Sequence, residues 1–231
     1  MKLSVIIPCY NEKNTIEGVL KKVRSAWPED KEIIVVDDCS NDGTRELLQN
    51  QLSDFIDKLI LHNSNQGKGK TLRTGFSAAS GDILLVQDAD FEYEPDDYRV
   101  MLAPILEGKA DVVFGSRFLF THPRHVLQFH HYMANKLLTF LTCLVTNLHL
   151  TDMETCYKAF KRSILDKITL REDRFGFEPE FTCKVANLNV PIYEVPIRYN
   201  PRTYAEGKKI GLKDGLRAIY CILKYGLLKF H

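Results

Sequence analysis

The sequence has no Cys-x-x-Cys pair, although it carries six cysteines, Cys9, Cys39, Cys143, Cys156, Cys183 and Cys221. Their scatter argues against a zinc site or a disulfide framework and reads as reduced, mostly structural thiols of a cytosolic compartment. Long apolar runs are missing too. No stretch approaches the roughly 18 apolar residues of a membrane-spanning helix, so the chain is expected not to cross a membrane, though it can lie on one. The opening MKLSVIIPCYNE breaks at Pro8 after a run too short for a signal peptide, with no small-residue cleavage site. Net charge is nearly absent: 31 Lys and Arg against 30 Asp and Glu leave +1. That excludes the global signature of a nucleic-acid binder and makes any basic function local. No Gly-x-Gly-x-x-Gly follows a strand and no Walker loop occurs, which argues against a dinucleotide-binding domain and a P-loop enzyme. Internal repeats and low-complexity linkers are also lacking.

What is present alternates. Leu3 to Ile7, residues 32–38, 57–62, Ile83 to Val86 and 110–116 read as strands, and helical spacing fills the gaps between them. Asn14 and Glu17 are placed like a capping pair for the first helix. Strands apolar on both faces, alternating with helices, predict an α/β fold with a mostly parallel central sheet and helices on both faces. In such sheets ligands gather at the carboxyl ends of the strands. Five polar clusters sit at those ends: PCYNE, DDCSNDGT, HNSNQGKGK, DADFE and GSR.

Of these, GDILLVQDADFEYEP asks most of an explanation, because Asp88, Asp90, Glu92 and Glu94 follow a buried strand directly. A solvated acidic turn is one reading. The other is a set of hard oxygen ligands that hold Mg²⁺ or Mn²⁺ against a phosphate. Asp88, Asp90 and Glu92 fall on one side if the strand geometry persists. QGKGKTLRTGF places Gly67 and Gly69 before a helix, either as a tight turn or as a close approach to an anionic ligand. Arg117 ends the fifth strand, and Arg202, Lys208 and Lys209 make a basic loop.

Taken in order, VIIPCYNE, VVDDCSNDGT, GKGKTLRTG, DAD, GSR and TDMETCYKAF resemble the successive signatures of family-two inverting glycosyltransferases, above all the dolichyl- or polyprenyl-phosphate hexose synthases. The resemblance covers essentially the whole chain. It implies a GT-A fold, a UDP- or GDP-hexose donor and a Mg²⁺ or Mn²⁺ ion. By position, Pro8, Tyr10, Glu12, Val36 and Asp38 would hold the base and ribose, with Lys68 also on the donor. Asp88, Ala89 and Asp90 would meet the donor, Asp88, Asp90 and Glu92 the metal, and Arg202 and Lys208 the diphosphate. Glu92 stands where such enzymes often have glutamine. Arg117 would meet the acceptor or donor phosphate, with Arg124, His130 or His131 in place of a second acceptor-phosphate arginine that the related synthases carry.

One domain is expected over 1–231: a nucleotide-sugar-binding half (1–118), an acceptor-side half (119–205) and a C-terminal amphipathic helix (206–231). The implied activity is hexose transfer to a polyprenyl phosphate in cell-envelope biogenesis, on the cytoplasmic face of a membrane, with Asp90 and Arg117 central. A lipid phosphate needs no general base. If the acceptor is instead a sugar or protein hydroxyl, Asp152, with Glu154 behind it, is the candidate base; both also suit a turn or cap. A third reading is a nucleotide-sugar-binding module without turnover. A processive synthase is disfavoured, since Gln-x-x-Arg-Trp is absent. Five of the seven histidines crowd residues 122–149, as packing or groove residues rather than a standard metal set. Leu212, Leu216, Ile219, Tyr220, Leu223 and Leu227 form one helical stripe beside Lys213, Arg217 and Lys224. The stripe suits a core, a partner, including a second copy or a membrane protein, or a membrane surface.

Overall fold

In the computed structural model, which describes residues 1–119, 126, 128–202 and 211–228, the apolar runs assemble as expected. The strands are β1 (Leu3–Cys9), β2 (Lys31–Asp37), β3 (Lys58–Leu61), β4 (Ile83–Val86), β5 (Val112–Ser116), β6 (Lys158–Lys161) and β7 (Ile192–Pro196). They form a seven-stranded sheet in the order β3-β2-β1-β4-β6-β5-β7. β2, β4 and β5 are buried along their whole length, which is why they read as continuous apolar runs. β6 alone runs against its neighbours, antiparallel to both β4 and β5. This reversal brings the segment leading into β6 to the edge where β1, β2, β4 and β5 end.

Helices α1 (Ile16–Ser25), α2 (Thr44–Asn50), α3 (Lys68–Ala78), α4 (Tyr98–Leu106) and α6 (Phe177–Ala186) connect or flank the strands. α5 (Phe129–Thr146) precedes β6, and α7 (Leu212–Cys221) runs on into a π-helical turn, Ile222–Leu227. α3 lies close on the sheet: a Cβ on Gly75 would stand 2.5 Å from Cγ2 of Ile6. The expected cap of α1 is not formed. The N-cap is Thr15, whose hydroxyl donates to the Glu12 and Ala89 carbonyls at 3.2 and 2.9 Å, while Glu17 pairs with Lys21 instead. The physical reason is the neighbouring loop, which offers Thr15 an acceptor that local sequence spacing does not register. Within the described residues the C-terminal helix runs from Leu212.

Register aligns the strand ends. Cys9 is opposite Asp37 and Ile6 opposite Val86, so the chain leaves the sheet at neighbouring points in β1, β2 and β4. At the opposite edge Glu32 ties β2 to its surroundings. Its carboxylate accepts from Ser4 Oγ (2.6 Å), Ser80 N (2.9 Å) and Ser80 Oγ (3.0 Å), and pairs with Lys58 at 2.7 Å. Burial works to raise its pKa, but Lys58 and the serines outweigh it and lower the pKa to about 2. A carboxyl held below its unfolded value stabilises the fold above that value and loses the contribution as it protonates. Stability should therefore fall as pH drops from the ordinary glutamate range towards 2, by about 2 kcal/mol from this group. Urea titrations of wild type and Glu32→Gln across that window check it: the variant should lose less stability on acidification, and parallel curves would refute the assignment.

Candidate functional site

The carboxylates that follow β4 divide between two cations. Asp88 Oδ1 lies 2.9 Å from Lys68 Nζ, at the start of α3, and accepts from the Cys156 thiol at 2.9 Å. Lys68 Nζ also donates to Cys156 Sγ at 3.0 Å and stands 3.5 Å from Glu178 of α6. Burial would lift the Asp88 carboxyl, but Lys68 and the thiol hold it below the usual range. Burial and the neighbouring Asp88 push the Cys156 thiol well up, so the sulfur keeps its proton and donates it. Lys68 and Cys156 thus meet the same oxygen of Asp88 and set the orientation of its carboxylate.

Asp90 turns to the other cation. Its side chain contacts the Arg202 guanidinium and accepts the Glu92 backbone N–H at 2.9 Å. Arg202 also donates to both Glu12 oxygens, at 3.1 and 3.0 Å, and its own backbone N–H reaches Glu92 Oε1 at 2.8 Å. Arg202 therefore gathers three carboxylates from two parts of the chain, Glu12 after β1 and the Asp90–Glu92 loop after β4. Burial, then Asp88 and Glu92, drive the Asp90 carboxyl up to about 8 against the pull of Arg202. The segment after β7 reaches this place because Tyr199 bridges Tyr93 and Asn200 N–H bonds the Glu92 carbonyl at 2.9 Å.

The third group is a fork. Arg117, just past β5, donates Nε and Nη2 to the two oxygens of Asp152 at 2.7 Å each, and its backbone N–H adds a third bond at 3.0 Å. Asp152 is 0 % exposed. Glu194 of β7 holds the same loop by accepting from the backbone N–H groups of Thr151 and Asp152, at 2.9 and 3.0 Å. Tyr199 packs 5.1 Å beneath the guanidinium. The arrangement presents a half-buried, oriented arginine and commits both oxygens of the buried Asp152 to it. Glu154 is pushed up to about 8 by burial and by Glu178.

The remaining expected residues are distributed unevenly. Pro8 and Tyr10 lie half-buried at the end of β1, and Ala89 sits between the two cation groups with its carbonyl on Thr15. Val36 is fully buried and faces α3, so its side chain serves the core. Asp38 is spent internally: it pairs with His62 Nδ1 at 2.8 Å and accepts from Gln66 N and Gly67 N at 2.9 and 2.7 Å. The anion at the loop opening α3 is therefore the protein's own. Gly67 and Gly69 serve a close approach of backbone, since a Cβ on Gly69 would stand 2.1 Å from the Glu172 carbonyl oxygen. His131 lies in the first turn of α5 with its ring 4.3 Å from that of His130. Arg124 and Lys208 lie outside the described residues.

Three contributors were not legible in advance. Cys156 and Glu178 complete the Lys68 group, and Glu194 supports the Asp152 loop. Cys156 lies inside the TDMETCYKAF motif, which was its only signal; a lone carboxylate on α6 or β7 gave none. Among the described residues no three Asp, Glu, His or Cys side chains converge as a ready-made metal cage. The donor set is nonetheless all carboxylate, the kind Mg²⁺ and Mn²⁺ prefer, and such ions commonly take one or two carboxylates and complete their shell with phosphate and water. Asp90 and Glu92, already collected round a cation, fit that use.

Comparison with known proteins shows the family and the fold. The family model described as glycosyl transferase family 2 matches residues 4–169. A dolichol-phosphate mannosyltransferase of Pyrococcus furiosus is 28% identical over 230 residues, covering 97% of this chain and 64% of that protein, so the chain spans somewhat under two thirds of this relative's length. An undecaprenyl-phosphate mannosyltransferase of Micrococcus luteus is 29% identical over 98% of this chain and 95% of its own. Among solved structures, glucosyl-3-phosphoglycerate synthase from Mycobacterium tuberculosis, in complex with Mn²⁺, UDP and glucosyl-3-phosphoglycerate, superposes with a TM-score of 0.75 at 20% identity, over 97% of this chain and 80% of that one. The fold is that of the GT-A glycosyltransferases.

Proposed function

This chain belongs to glycosyl transferase family 2, and on that premise we propose that it transfers a hexose from a UDP- or GDP-sugar to a polyprenyl phosphate, with inversion, at the cytoplasmic surface of a membrane. The observation that carries the acceptor reading is the Arg117–Asp152 fork. A guanidinium held rigid by a buried carboxylate on one side is suited to receive a phosphate on the other. A carboxylate with both oxygens committed to that arginine is badly placed to serve as a base, and a phosphate monoester is already an anionic nucleophile.

In this reading the donor lies over the ends of β1 and β4, with Tyr10 and Glu12 on the nucleoside side. Asp88 stays ionised through Lys68 and points its carboxylate at the sugar diphosphate, while Cys156 fixes its rotamer. Asp90 and Glu92 would hold Mg²⁺ or Mn²⁺, which when bound supplies Lewis-acid neutralisation of the leaving diphosphate. Arg202 exchanges Asp90, Glu12 and Glu92 for the diphosphate oxygens as the donor arrives, adding a second fixed cation where charge develops. Arg117 aligns the acceptor phosphate for in-line attack at the anomeric carbon. The relatives named above as dolichol- and undecaprenyl-phosphate mannosyltransferases support the substrate class.

The test is incubation of the purified chain with Mn²⁺, each of several UDP- and GDP-hexoses and a short-chain polyprenyl phosphate, followed by chromatography of glycolipid and nucleoside diphosphate. One donor should yield glycolipid in step with diphosphate. Transfer to a hydroxyl acceptor without lipid phosphate would overturn the acceptor assignment, and donor binding without any turnover would overturn the activity.

A further inference from the structure

Two tyrosine rings join the donor and acceptor groups of the site. Tyr199, in the segment after β7, has its ring 5.1 Å from the Arg117 guanidinium and 5.3 Å from the ring of Tyr93. Tyr93 is buried, stacks on Tyr157 at 4.8 Å, and accepts the backbone N–H of Cys156 on its hydroxyl at 3.0 Å. The thiol of that same Cys156 donates to Asp88 at 2.9 Å. From the carboxylate assigned to the donor to the arginine assigned to the acceptor, the link runs Asp88, Cys156, Tyr93, Tyr199, Arg117, and every step is a direct contact. Asp88 and Arg117 follow β4 and β5, which β6 separates in the sheet. The sheet sets where those two segments leave it; the stacked rings set where the side chains stand.

Tyr199 has little freedom of its own. On one side of it, Arg198 donates its backbone N–H and Nε to Asp97 at 2.7 and 2.8 Å; on the other, Asn200 N–H bonds the Glu92 carbonyl at 2.9 Å. Its neighbours therefore deliver the ring, and Arg117 meets it in place. Burial raises the pKa of the Tyr199 hydroxyl; Arg117 opposes that, while Glu92 and Asp90 add to it. The hydroxyl is thus neutral and lies between the donor carboxylates and the acceptor arginine. A ring suits this use, because an aromatic face attracts a guanidinium without spending its N–H groups. Asp152 holds Arg117 through Nε and Nη2, and the Tyr199 ring backs it. Phe118, the next residue in the chain, stands farther off at 5.8 Å.

We propose that Tyr199 is a positioning residue for the transfer: seated on Tyr93, it fixes Arg117, and so the acceptor phosphate, at the distance from Asp88 that attack on the anomeric carbon needs. It rests on the transferase reading above and adds the element that holds the two substrates in line. Misplacing reacting groups by about 1 Å costs on the order of 10²-fold in rate. The test is steady-state kinetics with Mn²⁺, geranyl phosphate and whichever of UDP-glucose and GDP-mannose wild type turns over. The variants are Tyr199→Phe, Tyr199→Leu, Arg117→Lys, and Tyr199→Leu combined with Arg117→Lys. Tyr199→Leu should lower kcat by about 10- to 100-fold and raise acceptor KM less than about threefold, while binding UDP or GDP with Mn²⁺ as wild type does. Tyr199→Phe keeps the ring and should keep kcat within about threefold of wild type. In the Arg117→Lys background, Tyr199→Leu should cost less than about threefold more, because it acts through that arginine. Thermal unfolding reports whether the leucine variant is folded, and Tyr199→Met, of greater length, takes its place if it is not. An undiminished kcat in Tyr199→Leu overturns the proposal. Nucleotide binding lost in step with turnover makes Tyr199 a structural support of the Arg202 segment and overturns it too, as do independent effects in the double variant. Those outcomes leave the transferase reading standing. A wild type that transfers to no phosphate acceptor fails that reading first and removes this inference with it.

Discussion

Asp90→Asn should lower kcat for hexose transfer by about 10³-fold or more while leaving the protein as stable as wild type or more so. The two halves of this expectation share one cause. Burial, Asp88 and Glu92 all penalise the ionised Asp90 carboxyl, and Arg202 only partly compensates. A neutral amide of the same size removes the penalty and can still accept the Glu92 N–H. It cannot supply the anionic oxygen that the metal and the departing diphosphate require. Turnover, Mn²⁺ binding in the presence of UDP or GDP, and thermal midpoint are the three readouts. Lost turnover with lost Mn²⁺ binding and an unchanged or raised midpoint is the expected set. Near-normal turnover would remove Asp90 from the site; a collapsed midpoint would make it a structural residue.

The second large effect is at the fork. Arg117→Ala would leave Asp152 charged and buried without a partner, a change that costs about 3–5 kcal/mol of stability and confuses any kinetic reading. Arg117→Lys keeps the charge but loses the bidentate geometry, and should reduce kcat/KM for the lipid phosphate about 10²-fold with little change in donor affinity. Asp152→Asn separates the two acceptor chemistries. If Asp152 only orients Arg117, the variant loses about tenfold, chiefly in acceptor KM, and its pH profile keeps its shape. If it were a general base, kcat would fall by up to about 10⁴-fold and the acid limb of the profile would disappear.

These expectations depend on contacts that no local reading supplies. The strands were legible because β2, β4 and β5 are buried on both faces and so appear as unbroken apolar runs. The polar clusters at their ends were legible because a parallel sheet brings those ends to one edge. By itself, then, the sequence determined the sheet, the edge at which chemistry collects, and the order of motifs that marks the family. Tertiary structure alone decided the partners. Arg202 meets Glu12 across 190 residues, Lys68 meets Cys156 across 88, and Arg117 meets Asp152 across 35, because the reversed β6 and the segment after β7 return to the same edge. It also decided that Asp38 and the glycines before α3 serve the protein's own packing, where sequence spacing equally suited a ligand. Most plainly it decided which way α5 and α7 face. Periodicity specifies that a helix has an apolar stripe. Only the neighbours that fill the other side, here Glu172 against Arg217 and Tyr225 and the buried Thr139 and Thr142 of α5, determine whether that stripe points into the protein or out of it.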